Sequence, residues 1–222
     1  MGEERIVLRR VVVALDSQAE GETSIAEAGA LADIAGAELV GMFIEEAAVE
    51  RAMGLAAVRM VTPAGGPLRD VDPPSWRRSI RALVSLRRRE LSRRAEGLKL
   101  RWSFQVEQGR LPQVVCRTVA DMEVVVVGQV RRRRPLYDGS VVALLTDEAS
   151  AARVVELATT LAARSDTPLH VSHQQERDPR GVAQSLRRLN ARVVVASGRV
   201  MDEAYLETLR AGLACPLVLV KA

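Results

Sequence analysis

The chain has 222 residues, of which 48% are hydrophobic, and a formal net charge of +4. This length and composition exclude an intrinsically disordered chain and predict one large α/β domain or two small ones. No apolar run approaches the roughly 18 residues of a membrane span, and the acidic first residues lack the apolar core of a signal peptide. We therefore expect a soluble, cytoplasmic protein without a membrane segment.

The chain opens with a predicted βαβ unit. An apolar run at 11–15 indicates a buried strand that ends at Asp16–Ser17. Two capping-box spacings within 17–27 predict that a helix begins there, and Gly36 predicts its end. A second strand is predicted at 39–44, and it is expected to run parallel to the first because a single helix connects the two.

Residues 45–74 are interpreted as an insertion after the second strand. Its first part could be a helix with Val49, Met53, Ala56 and Met60 on one face, and its second part, rich in Pro and Gly, predicts a loop. We interpret the insertion as a surface loop, the alternative being a cover over a ligand site.

A long arginine-rich helix and an edge strand are predicted next. The helix is expected at 75–98, and we interpret its outer face, including Arg87, Arg88 and Arg89, as a solvated surface. Apolar and polar residues alternate at 102–106, which is typical of an edge strand with one polar face.

The centre of the chain, residues 123–140, reads E-V-V-V-V-G-Q-V-R-R-R-R-P-L-Y-D-G-S. Four consecutive valines indicate a strand that is covered on both sides, as in a parallel sheet between two layers of helices. Gly128 ends this strand, and Arg131–Arg134 follow. In a doubly wound sheet the first strand and this fourth strand are neighbours, so the crevice between their carboxyl ends is expected to bring Asp16 and Gly128 together.

The second half of the chain repeats the pattern in a shorter form. Its predicted elements are a strand at 141–145, a helix along 154–161, a strand at 169–172, a helix at 182–189, a strand at 193–196, a helix at 205–213 and a strand at 216–220. The predicted fold is therefore α/β, with two tandem doubly wound parallel-sheet units at 1–135 and 136–222, the second one trimmed. Asp147 and Gly198 are expected together at one end of a second sheet.

The first unit contains no fifth strand of its own to cover the outer edge of its fourth strand. An uncovered edge is a liability that proteins usually pair or cap. We expect the second unit or a second chain to cover this edge, and we expect a homodimer or a protein partner.

Three parts of the sequence resemble the universal stress protein family. They are V-V-V-A-L-D-S with A-E-L-V-G-M-F-I at 11–17 and 37–44, V-V-V-V-G at 124–128, and A-C-P-L-V-L-V-K at 214–221. The resemblance extends over almost the whole chain as two degenerate tandem copies. It implies the nucleotide-binding α/β fold of that family, a regulatory role in stress responses and a tendency to form dimers.

The resemblance also implies a nucleotide site. In the family's nucleotide-binding members, an aspartate after the first strand and a glycine motif, G-x-x-G-x9-G-S/T, hold ATP. Asp16, followed by Ser17, matches the aspartate, and Gly128 matches the first glycine, whereas Arg131 stands where the second glycine belongs. Gly139–Ser140 resembles the closing pair but arrives two residues early. These six residues are the candidate site for ATP with Mg; either the arginines contact its phosphates, or the site is lost and the segment is a linker.

The remaining reactive side chains predict neither a catalytic site nor a metal site. Cys116 and Cys215 lack the C-x-x-C spacing and are interpreted as buried thiols. His170 and His173 are expected on opposite faces of a strand and are not interpreted as metal ligands. We therefore do not expect an enzyme.

Three classes of function stay open at this point. The first is a stress-protein-like regulator that binds ATP or another adenine nucleotide, and the second is an interaction or dimerisation module of the same fold without a nucleotide. The third, a nucleic-acid binder, is the least favoured, because the arginines are interleaved with acids and no aromatic stacking surface accompanies them.

Overall fold

The computed structural model describes residues 8–46, 59–60, 69–70, 73–130, 139–173, 178–199 and 201–221. Its strands are β1 (Arg10–Leu15), β2 (Glu38–Glu45), β3 (Arg59–Met60), β4 (Arg69–Asp70), β5 (Trp102–Gln108), β6 (Val124–Val127), β7 (Ser140–Leu145), β8 (Leu169–His173), β9 (Ala191–Ser197) and β10 (Leu217–Val220). Its helices are α1 (Gly21–Ala35), α2 (Pro73–Gly97), α3 (Leu111–Asp121), α4 (Glu148–Ser165), α5 (Pro179–Arg188) and α6 (Glu203–Gly212).

Eight strands form one sheet in the order β5-β2-β1-β6-β10-β9-β7-β8. The first four strands in this order are parallel to one another, and so are the last four. The two groups meet where β10 lies antiparallel to β6. As a result, the carboxyl ends of β1 and β6 lie at the same edge of the sheet as the amino ends of β7, β9 and β10. We call this the Asp16 edge.

The predicted α/β class with a largely parallel sheet is confirmed, but the expected second sheet for Asp147 and Gly198 is wrong. Asp147 follows β7 and Gly198 follows β9, and these two strands are parallel neighbours. Both residues therefore lie at the same edge, as predicted, but the sheet is the one that also contains β1. All four residues of β10 are buried, with at most 1% exposure. Such a strand needs a partner on each side, and it finds β6 and β9. The expectation that the second half covers the edge of β6 is therefore confirmed.

Helices cover both faces of the sheet and create two apolar layers. On one face α1, α2 and α4 pack against the sheet, and on the other face α3, α5 and α6 do so. The helices that follow β1 and precede β6 consequently lie on opposite faces, as the doubly wound pattern predicts. The valines of β6 are at most 1% exposed, in agreement with the predicted two-sided burial.

Several element boundaries follow from local sequence. Helix α1 begins at Gly21 after Glu20, whose carboxylate accepts a hydrogen bond from the Thr23 N–H, and it ends at Gly36 with a left-handed φ of 64°. Strand β5 lies at one edge of the sheet, as its alternation predicts. Within the described ranges, none of the helices is both long enough and apolar enough to span a membrane.

The insertion is described only at its two short strands, which pair antiparallel, and at its ends. Of the helix predicted around Val49, Met53, Ala56 and Met60, the first three residues lie outside the described residues, and so does the arginine run 131–134. Met60 is wrongly placed in that helix, because it lies in strand β3 and pairs with Arg69 of β4.

Candidate functional site

The structure brings Asp16 and Gly128 together at the Asp16 edge, as predicted. Strands β1 and β6 are adjacent and parallel, and the Gly128 N–H donates to the Ala14 carbonyl at 3.2 Å. Asp16 is 3% exposed, so its carboxylate needs partners within the protein.

Arg210 from α6 occupies the space between these two residues. Its guanidinium donates from Nη2 to Asp16 Oδ1 at 2.8 Å and from Nε to the Gly128 carbonyl oxygen at 2.7 Å. The Gln18 N–H also donates to Asp16 Oδ1, at 2.9 Å. Arg210 itself is only 8% exposed. The aspartate and the glycine are thus bridged by an arginine that lies more than 80 residues away from either in the sequence.

Sequence reasoning did not identify Arg210 as a site residue. The available signal was its position on the apolar stripe of a predicted helix, four residues after Leu206 and next to Leu209, both of which are fully buried. An arginine in such a stripe needs a buried acceptor. The pattern alone does not say which acceptor.

The packing around Gly128 is close on the α1 side. A Cβ atom built at Gly128 would lie 2.9 Å from Ala19 Cβ and 3.2 Å from Ser24 Oγ. The next residue, Gln129, accepts a hydrogen bond from the Glu20 N–H at 2.9 Å through its carbonyl. Here the glycine permits the start of α1 to pack against the end of β6, which explains its presence without a phosphate.

Gly139 and Ser140 are not brought to the Asp16–Gly128 pair. They lie at the same edge, but β7 is four strand positions from β1, roughly 19 Å at the usual strand spacing. Ser140 donates its hydroxyl to the Leu189 carbonyl at 2.9 Å, and a Cβ at Gly139 would lie 2.8 Å from the Asn190 carbonyl oxygen. Both residues therefore hold the turn that enters β7. Arg131, the other member of the motif, lies outside the described residues.

Ser17 lines a cavity of about 360 Å³ at the carboxyl end of β2. Phe43 and Ile80 provide apolar walls, and Trp76 and Arg81 from α2 stand beside them. Glu45 and Glu46 also line it, so its charge is mixed. A cavity of this size is within the range of small-molecule sites.

A larger cavity of about 990 Å³ lies between α1, α2 and the first residues of β9. Both arginines in its described wall are already paired: Arg87 with Glu90 at 2.8 Å and Arg192 with Glu27 at 2.9 Å. Each arginine of this wall is therefore already neutralised by a carboxylate, although Arg87 Nε has no hydrogen-bond partner among the described residues. The Gln129 side-chain carbonyl, which also lines it, has no hydrogen-bond partner within the described ranges.

The corresponding edge of the second half carries Asp147, which caps α4. Burial by itself would raise the pKa of Asp147, but hydrogen bonds from the Ser150 hydroxyl and N–H and from Ser197, together with the charge of Arg199, hold it below its ordinary value. A Cβ at Gly198 would lie 2.2 Å from Val119 Cγ1, so this glycine is required by the packing of α3.

The cysteines are free thiols, with Cys215 buried and Cys116 half-buried. Burial, and to a lesser extent the charge of Glu27, raises the pKa of Cys215 to about 12. Among the described residues, no group of three or more His, Cys, Asp or Glu side chains is placed to hold a metal ion.

No protein-family model matches the chain, and no curated protein matches its sequence. Solved structures do match. A universal stress protein from Archaeoglobus fulgidus DSM 4304 is similar with a TM-score of 0.51 and 11% identity, over 95% of this chain and 96% of that one. A protein of Pseudomonas aeruginosa UCBPP-PA14 assigned to the universal stress proteins is similar with a TM-score of 0.51 and 12% identity, over 96% of this chain and 93% of that one.

The chain is thus an α/β protein with a largely parallel sheet between two layers of helices. Its fold is that of the universal stress proteins, as the sequence resemblance implied.

Proposed function

We propose that the chain is a non-enzymatic regulatory module of the universal stress protein fold that works through protein contacts and holds no nucleotide between Asp16 and Gly128. The observation that carries this proposal is the position of Arg210, which donates to both residues from a nearly buried position. The interpretation as two degenerate tandem copies is kept, because each half contributes four parallel strands to the sheet.

A nucleotide in that crevice would have to displace Arg210 first. Removing one member of a buried ion pair costs about 3–5 kcal/mol, and 1.4 kcal/mol corresponds to a factor of ten in affinity. The cost of displacing Arg210 would therefore lower the affinity of a nucleotide for this crevice by about a hundredfold or more. The family's arrangement, in which the aspartate is available to ATP, is not favoured here.

The partner that we propose is a second copy of the chain, paired along an outer strand of the sheet. Strands β5 and β8 are the two edges, and each has one hydrogen-bonding side without a neighbouring strand in the described part of the chain. Each also displays an exposed valine, Val106 at 46% and Val171 at 47%. Such edges are the positions where a further strand adds.

A second candidate function is the binding of an adenine nucleotide with Mg in the cavity beside Ser17. The observation that favours it is the cavity itself, where Trp76 offers an aromatic ring and Arg81 a cation next to the predicted site residue. This candidate does not require the Asp16–Arg210 pair to open.

Calorimetric titration of Mg-ATP into the purified chain separates the two candidates. We expect no binding heat up to millimolar nucleotide, whereas saturable binding that is lost in Asp16→Asn, with this variant shown by circular dichroism to be folded, would overturn the first proposal. Binding that survives Asp16→Asn and is lost in Trp76→Ala would assign the nucleotide to the cavity. Light scattering on the same samples is expected to give a dimer whose mass does not change with Mg-ATP, and a monomer would contradict the proposed partner.

A further inference from the structure

Helix α2 concentrates the positive charge of the whole chain. It contains eight arginines and two glutamates, a formal charge of +6, whereas the chain as a whole has +4. All the other residues together therefore sum to −2. The net positive charge of the chain is therefore due to this helix.

The fold places most of these arginines on the exposed side of the helix. Leu91 and Ala95 are fully buried against the apolar layer and fix the inward side. Seven of the eight arginines are exposed, whereas Arg87, which was expected on the outer face, is half-buried. We call five of the exposed ones the arginine ridge; they are Arg78, Arg81, Arg88, Arg89 and Arg93. Arg93 lies fifteen positions after Arg78, which corresponds to about 22 Å along the helix axis.

Acids do not neutralise this ridge. Glu90 is half-buried and paired with Arg87, so it faces away from the exposed side, and Glu96 remains only near the end of the helix. Arg81, Arg88, Arg89 and Arg93 form no ion pair with any described residue, and Arg78 donates only to the Ser75 hydroxyl at 3.0 Å. The sequence suggested that acids and arginines alternate, but the structure separates them.

We propose that the arginine ridge binds the phosphate backbone of double-stranded nucleic acid without reading its bases. Guanidinium groups match phosphate oxygens in a planar, two-bonded geometry. A row of unpaired arginines of this length fits a polyanion whose charges repeat every few ångströms.

Other partners fit the ridge less well. Protein interfaces use arginine together with aromatic and other apolar anchors, but Leu86, 41% exposed, is the one large hydrophobic residue of the described part of α2 that reaches the surface to that extent. A membrane-bound helix inserts its apolar side, and here that side packs against the sheet. Single strands need aromatic stacking, whereas Trp76 is half-buried in the cavity beside Ser17.

The test compares two triple variants with the same change in net charge. The first is Arg88→Gln, Arg89→Gln and Arg93→Gln, which leaves the cavity residue Arg81 in place. The matched control is Arg180→Gln, Arg187→Gln and Arg188→Gln in α5, whose arginines are also exposed but lie on the opposite face of the sheet. Glutamine forms helices nearly as well as arginine, so both variants are expected to fold.

The probe is a fluorescein-labelled DNA duplex of about 20 base pairs, titrated between about 50 and 200 mM salt. Five phosphate contacts predict a slope of log K against log salt of about −4.5 for the parent, and two contacts predict about −2 for the α2 variant. We also expect the α2 variant to bind at least about tenfold more weakly, with no change for the α5 variant. Polyglutamate and vesicles containing anionic lipid serve as competitors.

Three results would overturn the proposal. They are no duplex binding at the lowest salt, an equal loss of affinity in the α5 variant, and competition by polyglutamate or anionic vesicles as effective as that by unlabelled duplex. None of these depends on whether Mg-ATP binds, so this proposal and the preceding one fail independently.

Discussion

Asp16→Ala is expected to lower the free energy of unfolding by about 3–5 kcal/mol, because it leaves the Arg210 guanidinium buried without its carboxylate. The side chains of this pair are only 10% and 4% exposed, and their atoms lie 2.8 Å apart. Urea denaturation followed by circular dichroism measures the change. Arg210→Met is expected to lower the free energy of unfolding by a similar amount, because Asp16 and the Gly128 carbonyl both lose the guanidinium that donates to them and the Asp16 carboxylate keeps only the Gln18 N–H among the described residues.

The double variant Asp16→Ala with Arg210→Met is expected to cost clearly less than the sum of the two single variants, because residues in direct contact do not act additively. The exposed pair Arg117–Glu107, at 3.6 Å and with side chains 65% and 39% exposed, provides the control. Glu107→Ala should change stability by at most about 1 kcal/mol. An Asp16→Ala variant as stable as the Glu107→Ala variant would show that Asp16 and Arg210 do not form a buried pair.

Removal of residues 217–222 is expected to abolish the cooperative fold. It deletes β10 from the middle of the sheet, so that β6 and β9 both lose a neighbouring strand. The deletion also removes four aliphatic side chains that are each at most 1% exposed. At about 1.5–3 kcal/mol each, their loss is comparable to the roughly 5–15 kcal/mol by which domains are stable. Soluble yield and the urea transition are the measurements.

A shorter truncation, lacking only 221–222, is the matched control for this deletion. It keeps β10 and removes one hydrogen bond at this strand end, from the Lys221 N–H to the Glu123 carbonyl at 2.9 Å. We expect it to unfold cooperatively, with nearly the parent's stability. If the chain ending at residue 216 also unfolded cooperatively, the two halves would not depend on a shared sheet.

The strands and their direction could be predicted from sequence because their signals are local. The apolar runs of β1 and β6 indicate burial on both faces, and the helices between them fix the parallel direction. The shared sheet could not be predicted in the same way. It results from the antiparallel pairing of β10 with β6, which are separated by about ninety residues, and an apolar strand does not encode which neighbour it joins.

In the candidate site, too, some features could be predicted from the sequence and others depend on contacts between distant parts of the chain. The neighbourhood of Asp16 and Gly128 follows from strand order, and it was predicted. The separation of Gly139–Ser140 from that pair follows from three intervening strands, which the spacing of a sequence motif does not reveal. Arg210 was missed for the same reason, because its contacts cross between the two halves of the chain. On α2 the arginine-rich outer face was predicted, but Arg87 was wrongly placed on it, because its hydrogen bond to the Ala19 carbonyl, just before α1, depends on tertiary packing.

The central claim is that Arg210, and not a nucleotide, occupies the space between Asp16 and Gly128. A crystal structure of the chain grown with millimolar Mg-ATP tests it most directly. We predict that Arg210 still lies within hydrogen-bond distance of the Asp16 carboxylate and the Gly128 carbonyl, with no nucleotide between them. Electron density for a nucleotide at that position, with Arg210 turned away from Asp16, would contradict the claim.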